Sequence, residues 1–467
     1  MRSSGFMLIT WVTVLVLAPV IAMANGFYGP SVGVRAGAMG GAFIGLADDY
    51  SAVFWNPAGI TQIKGMELTA SGQDVLSLAS RDGFIEFDGD GTAPADRFAL
   101  GSIAVTSDAR NLLAPGVFFY TDPGPLRGIV DKVGITAYTL GDYGSLWNGG
   151  EVIDGFIGHQ DNFDFVYFAA DVPDYESRVK TYVISPVVAR EVMPGLSVGL
   201  TANIAYSHLT LHDVLIVETA YPIDTPEEED DWLLELLPFR LSDDVTAWGY
   251  GATLGVLYRA NSQISVGATV RSPMTMSFEG TYGMTASGGY LPEDIAWKFA
   301  SDFEMRYPMW AGAGMAYRDF IFDGLLFTAD LQWTDWSTFE EIQRNVDWSY
   351  PFTGEDMFGF ERTDLLWEDT ITFAMGFDYR LNRSLSVNLG YRSEPSPTPD
   401  ETFNFMMPQT DKSVVSVGAS YRHDFWRAAF ALEYQASETL RFSDQGDMNG
   451  KHLEDRLVPM LSLTYAF

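Results

Sequence analysis

The sequence predicts an all-β fold, a transmembrane antiparallel barrel, and three observations predict it. The first 24 residues form an export-type segment, nothing later is apolar enough to span as a helix, and the rest runs through alternating segments of roughly ten residues. The last of these ends in Leu461, Leu463, Tyr465 and Phe467, apolar at every second position. In hydrocarbon every backbone N–H and C=O must be paired internally, so a chain without a helical span crosses with strands closed on themselves.

Residues 1–24 read as a signal peptide. Arg2 precedes an apolar stretch from Phe6 to Ala18, and Ala22-Met23-Ala24 puts small residues where a signal peptidase inspects them. The apolar core is short for a hydrocarbon layer of about 30 Å, and Pro19 interrupts its end. Cleavage leaves Asn25 first and, by removing Arg2, takes the formal charge from −34 to −35.

Residues 25–64 are dense in small side chains, with Gly26, Gly29, Gly33, Gly37, Gly40, Gly41, Gly45 and Gly59 interleaved with Ala36, Ala38, Ala42, Ala47 and Ala52. Such a composition suits backbone packed closely against its surroundings. It fits either a compact plug inside a barrel or a leader that extends the first strands. Gly40-Gly41 lacks the preceding strand and glycine spacing of a dinucleotide loop.

Residues 65–467 read as the barrel. Alternating segments at 112–120, 131–140, 181–190, 195–206, 247–258, 263–271, 310–318, 324–333, 370–379, 384–392, 413–422, 427–435 and 457–467 are divided by turns rich in Asp, Gly, Asn and Pro. Several end in Tyr-Arg, a ring at headgroup level followed by a charge in water. On this reading Arg271, Arg318 and Arg392 sit at the rim, and 141–178, 212–245, 334–369 and 393–411 are long polar loops. The acidic run Glu227 to Asp231 lacks the ligand spacing of a calcium loop and reads as a solvated loop, the alternatives being Ca²⁺ binding or a place beside divalent-bridged lipopolysaccharide. The C-terminal alternation of Leu463, Tyr465 and Phe467 reads as the segment presented to the barrel assembly machinery.

Composition excludes several functions. No cysteine is present, which removes disulfides, thiolate chemistry and cysteine metal sites. With 62 acidic against 28 basic residues the chain repels nucleic acid. Aromatic residues make up 14% while mean hydropathy stays near zero, as expected where apolar residues face lipid and polar ones face inward. Of His159, His208, His212, His423 and His452, only His208 and His212 lie close in sequence, and Leu209 stands where a zincin needs glutamate, so no metal site is expected. No nucleophile elbow, Walker or Rossmann fingerprint appears, and neither catalytic residues nor a cofactor are expected.

The stretch Gly37 to Gly59, GAMGGAFIGLADDYSAVFWNPAG, resembles the N-terminal signature of the outer-membrane transporters of long-chain fatty acids and aromatic hydrocarbons, the FadL/TodX family. Asn56, Pro57, Ala58 and Gly59 match its hatch motif, and Asp48-Asp49 its acidic pair. Residues 263–280, 329–338 and 389–400 resemble later family segments. The resemblance implies a monomeric barrel of fourteen strands plugged by an N-terminal hatch. It further implies passive transport of a hydrophobic small molecule, caught among outer loops and released sideways through the wall when the hatch shifts.

Within that frame Pro57 and Asn56 hold a tight bend that fixes the plug or helps gate the path. Trp333 and Trp336, three apart in a strand, face opposite sides unless a turn at Asp335 intervenes; interface anchoring is the stronger expectation for them, ligand contact the weaker. A general porin, a surface-structural or adhesive barrel with acidic loops, and a barrel enzyme are the alternatives. They predict, in turn, steady ion conductance, uptake indifferent to loop deletion, and hydrolysis of a lipid ester.

Overall fold

The computed structural model describes residues 31–77, 111–149, 165–223, 231–289, 293–346, 362–399, 410–437 and 455–467, with short pieces at 14–15, 85–86, 104–105, 291, 402, 440–443 and 449–452. The proposed signal peptide apart from Val14 and Leu15, His159, and residues 227–230 of the acidic run lie outside the described residues.

Fourteen antiparallel strands close into a barrel. In chain order they are β1 (Glu67–Ser77), β2 (Asn111–Thr121), β3 (Lys132–Trp147), β4 (Tyr175–Met193), β5 (Leu196–Ile223), β6 (Asp231–Arg259), β7 (Ile264–Arg271, continued as Met274–Ala286) and β8 (Ile295–Tyr307, continued as Trp310–Arg318). They continue with β9 (Leu325–Thr334), β10 (Thr370–Arg380), β11 (Leu385–Glu394), β12 (Lys412–His423), β13 (Trp426–Ser437) and β14 (Arg456–Ala466). Each pairs with the next, and β14 returns to β1 from Glu67↔Ala466 to Ser77↔Arg456, which closes the ring of strands. Tight turns such as 194–195, 260–263 and 381–384 lie at one end, and the long connections at the other.

Side chains alternate as the closed sheet requires. On β6, Trp248, Tyr250, Ala252, Leu254, Val256 and Tyr258 face outward while Ala247, Thr253 and Leu257 are buried inside. From Trp248 to Tyr258 a tilted strand rises about 25 Å, the height of a hydrocarbon band. Aromatic rings mark both borders: Tyr182, Tyr206 and Trp248 near the long-loop end, Tyr258, Phe322, Tyr421, Trp426 and Phe467 near the other.

Two expectations need correction. Much of 212–245 is strand: β5 runs on to Ile223 and β6 begins at Asp231. Above the aromatic border outward positions meet water, so the pattern inverts: Leu209 and Leu211 are buried inside while His208 and His212 face out beside Asp244 and Glu176. A polar outward face made these stretches read as loops. Arg271 and Arg392, expected at the rim, are buried inside the barrel, because strand parity turns them inward.

Residues 31–64 occupy the lumen as short helices, Val34–Ala38 and Ala52–Trp55, followed by a 3-10 turn, Pro57–Gln62. Their backbone leans on the wall. The Asp330 carboxylate accepts from the Phe43 and Ile44 amides at 2.6 and 2.8 Å, Ser416 Oγ accepts from Gly40, and Gln332 and Ser265 donate to the carbonyls of Gly41 and Gly45.

Candidate functional site

The site forms where the wall is interrupted. Strand β7 breaks at Ser272-Pro273, since proline has no N–H for the ladder, and Ser272 Oγ accepts from the Ala252 amide at 2.9 Å instead. Strand β8 breaks alongside at Pro308-Met309, and β9 ends at Thr334. Arg271, Trp310, Thr334 and Thr370 stand opposite one another in this one row of the wall.

A cavity of about 80 Å³ opens there, lined by Phe54 and Trp55 of the N-terminal segment and by Arg271, Trp310, Trp336 and Arg392 among others. The Arg271 guanidinium lies 4.2 Å from the Phe54 ring centre and 4.9 Å from that of Trp310, and Nη2 donates to the Phe54 carbonyl at 2.8 Å. Arg392 pairs with Glu433 at 3.0 Å and Glu394 at 3.3 Å, and donates to Ser31 Oγ. Aromatic walls with a few fixed polar groups suit a largely apolar ligand that carries one polar end. The cavity is smaller than the roughly 150 Å³ that holds benzene, so occupation requires its lining to move.

Trp333 faces outward at the end of β9, its indole N–H donating to Asp369, whereas Trp336 follows in a 3-10 turn, Trp336–Thr338, and is buried against Trp367. Asn56 is fully buried; its amide donates to the Ile44 and Val256 carbonyls at 3.0 and 2.9 Å and its oxygen accepts from Ala58 N–H. It thus ties the N-terminal segment both to itself and to β6. Pro57 opens the 3-10 turn, and a Cβ at Gly59 would fall 2.0 Å from the Ala47 carbonyl, so only glycine fits.

Asp48 and Asp49 act apart. Asp48 pairs with Arg35, which also reaches Asp378 at 2.8 Å, while Asp49 accepts from Ser51 N and Oγ and shapes the start of the second helix. Burial raises the Asp49 pKa against the pull of Arg35 and the Ser51 hydrogen bond; burial opposes the charge on Arg35, but Asp48 and Asp378 outweigh it and push its pKa up. Leu463 and Phe467 face outward, and the Tyr465 ring packs 4.7 Å from those of both Trp426 and Phe467.

Parity also reveals wall glycines that sequence reasoning passed over. A Cβ at Gly199 would meet Pro57, at Gly255 Asn56, at Gly267 Ile44, at Gly376 Met39, at Gly390 Gly40 and at Gly418 Ala38, all within 2.6 Å. Glycine at the inward position of successive strands was the available signal.

Among the described residues, the wall opens in a seam between β2 and β3. Strands β2 and β3 pair from Thr121↔Val133 to Gly116↔Tyr138 and then part, although β2 stays paired with β1 up to Leu76↔Asn111 and β3 with β4 up to Trp147↔Tyr175. A register shift between Thr139 and Gly141 accompanies the parting. Behind the seam lies a cavity of about 20 Å³ lined by Val32, Gly33, Pro115, Phe118 and Tyr138 among others. Phe54 touches both Trp310 and Tyr138 at 6.3 Å between ring centres, and Tyr138 stacks on Phe118 at 5.8 Å, so aromatic rings run unbroken from the first cavity to the seam.

A larger cavity, about 570 Å³, lies at the short-turn end between the N-terminal segment and β10–β14. Its lining includes Arg35, Arg380, Arg383, Arg422, Arg427, Asp48, Asp49 and Asp378, which makes it a polar vestibule unfit for an apolar ligand.

Known proteins place this architecture. Residues 156–457 match the model of the outer membrane protein transport protein family (OMPP1/FadL/TodX). A 47 kDa outer membrane protein of Pasteurella multocida is 24% identical over 198 residues, 38% of this chain and 40% of that one; the long-chain fatty acid transport protein of Escherichia coli O6:H1 is 24% identical over 200 residues, 37% and 39%. The chain thus spans about two-fifths of the length of these curated relatives. Among solved structures, a Pseudomonas aeruginosa FadL homologue superposes with a TM-score of 0.67 at 18% identity over 96% of this chain and 99% of that one. The P. putida toluene transporter TodX gives 0.64 at 14% identity over 94% and 99%. With the family match covering most of its length and the barrel shared from end to end, the chain belongs to the OMPP1/FadL/TodX family of outer-membrane transport proteins.

Proposed function

We propose that this barrel carries hydrophobic compounds passively across the outer membrane, long-chain fatty acids or related lipids and hydrocarbons. A ligand enters from the long-loop side, lodges between Arg271 and the surrounding aromatic rings, and leaves sideways through the β2–β3 seam when residues 31–64 shift. The observation that carries this reading is the run of rings Trp310, Phe54, Tyr138 and Phe118 from pocket to seam, against a charged vestibule at the short-turn end. Apolar inward residues above the pocket, including Met274, Met276, Phe278, Phe303 and Met305, favour it over a general porin. Relatives in the family are named for long-chain fatty acid transport and for toluene transport.

On the same reading the hatch motif from Asn56 to Gly59 is the hinge about which the plug moves, and Asp48 and Asp49 anchor its lower side. The barrel works as a monomer, inserted by the assembly machinery through Leu463, Tyr465 and Phe467, with its long loops among lipopolysaccharide. Uptake of radiolabelled oleate and toluene by cells lacking other such transporters is the test. Uptake of both above the empty-vector level supports the reading. Uptake of neither, with the barrel assembled as judged by heat-modifiable gel mobility, refutes it.

A further inference from the structure

The upper seam is not left open: two side chains stand in for the missing ladder. Carbonyls two residues apart on a strand point to the same neighbour, so Leu113 and Pro115 both present theirs toward β3, which supplies no backbone N–H there. Lys180 of β4 reaches across β3, and its ammonium donates to the Leu113 carbonyl at 3.0 Å while pairing with the Asp142 carboxylate at 2.9 Å. Thr139 Oγ1 donates to the Pro115 carbonyl at 3.3 Å. Asp142 is buried, with Arg178 also 3.7 Å away, and the Lys180 ammonium lies 5.4 Å from the centre of the Tyr182 ring at the aromatic border. Three strands therefore meet on one ammonium.

We propose that Lys180, held by Asp142, is a latch that sets how far the β2–β3 seam opens and so how bulky a ligand can leave. The inference rests on the sideways-exit reading. An ammonium suits the task because it holds two acceptors on different strands through a flexible stem and releases one without losing the other. Here the Leu113 carbonyl is the acceptor to be released, while Asp142 keeps the charge partnered as β2 swings away. Lys180 is a positioning residue, since the ligand passes the seam and not the ammonium.

The test compares initial oleate uptake by cells carrying wild type, Lys180→Met, Lys180→Arg and Asp142→Asn at equal assembled barrel. Because the chain has no cysteine, the double variant Pro115→Cys with Thr139→Cys is also prepared, with and without Lys180→Met, and closed by a short bismaleimide. Lys180→Met and Asp142→Asn are expected to raise uptake about threefold or more, the factor for losing one net hydrogen bond, and Lys180→Arg to stay near wild type. The cross-linked pair is expected to fall to the empty-vector level in both backgrounds. A block by the cross-link with no rise in either latch variant overturns the latch and leaves sideways exit standing. Uptake unaffected by complete cross-linking overturns sideways exit itself. If Lys180→Met does not assemble, Asp142→Asn decides by the same threshold.

Discussion

Asn56 shows how much one buried amide can settle. Its two N–H groups satisfy carbonyls on different parts of the molecule and its oxygen satisfies Ala58, so every polar atom of the side chain is used. Asn56→Ala strands the buried Ile44 carbonyl and Ala58 N–H, each at about 1–3 kcal/mol, while the barrel ladder is untouched. Asn56→Asp is worse, because a carboxylate has no donor and repels the carbonyls it faces. Limited proteolysis of residues 31–64 should therefore rise from wild type to Ala to Asp, with heat-modifiable mobility unchanged throughout; equal susceptibility in all three would falsify the tethering role. Arg271 makes a second case. Arg271→Met keeps much of the stem against Phe54 and Trp310 but removes the charge. If the guanidinium holds a carboxylate, oleate uptake falls about tenfold or more while toluene uptake changes little, and equal losses would point to a packing role instead.

At the scale of elements, the wall is cut to the N-terminal segment. Successive strands carry glycine where the N-terminal backbone touches them, and at Gly390 a Cβ would lie 2.0 Å from the Gly40 nitrogen, which no side-chain rotation relieves. Gly390→Val should leave strand pairing intact, since valine suits a strand, yet push residues 39–41 away at a cost of about 1–3 kcal/mol. Protease access to the N-terminal segment, with the barrel still heat-modifiable, is the measurement; a segment as protected as wild type would show that the wall yields instead. The strands themselves were legible wherever the outward face meets lipid, as on β6 from Trp248 to Tyr258. They were illegible above the aromatic border, where His208, Thr210 and His212 face water and the code reverses. Arg271 and Arg392 were misplaced for a related reason. An aromatic followed by a charge suggests the rim, but strand parity decides: Leu389 faces out, so Arg392, three positions on, faces in. The seam left a weaker trace, since nothing in Pro115 or Gly141 alone says that two neighbouring strands part.

Across the whole molecule the question is which way the interior leads. Charge is distributed unevenly: a chain of formal charge −34 gathers Arg35, Arg380, Arg383, Arg422 and Arg427 around the vestibule at its short-turn end. An anionic ligand leaving along the barrel axis would pass among these guanidinium groups, and its rate would follow their charge; a neutral ligand taking the same route would feel far less. Arg380 and Arg422 make no ion pair within 4 Å among the described residues, so replacing both by Gln leaves no carboxylate newly orphaned. Under sideways exit, Arg380→Gln with Arg422→Gln leaves oleate and toluene uptake both within about twofold of wild type, because the ligand departs at the β2–β3 seam before reaching the vestibule. Under axial exit oleate uptake shifts and toluene uptake does not, and the oleate difference shrinks as salt screens the charges. Measuring the two ligands at two ionic strengths separates the routes, since a change confined to the anion and weakened by salt cannot come from a general loss of barrel.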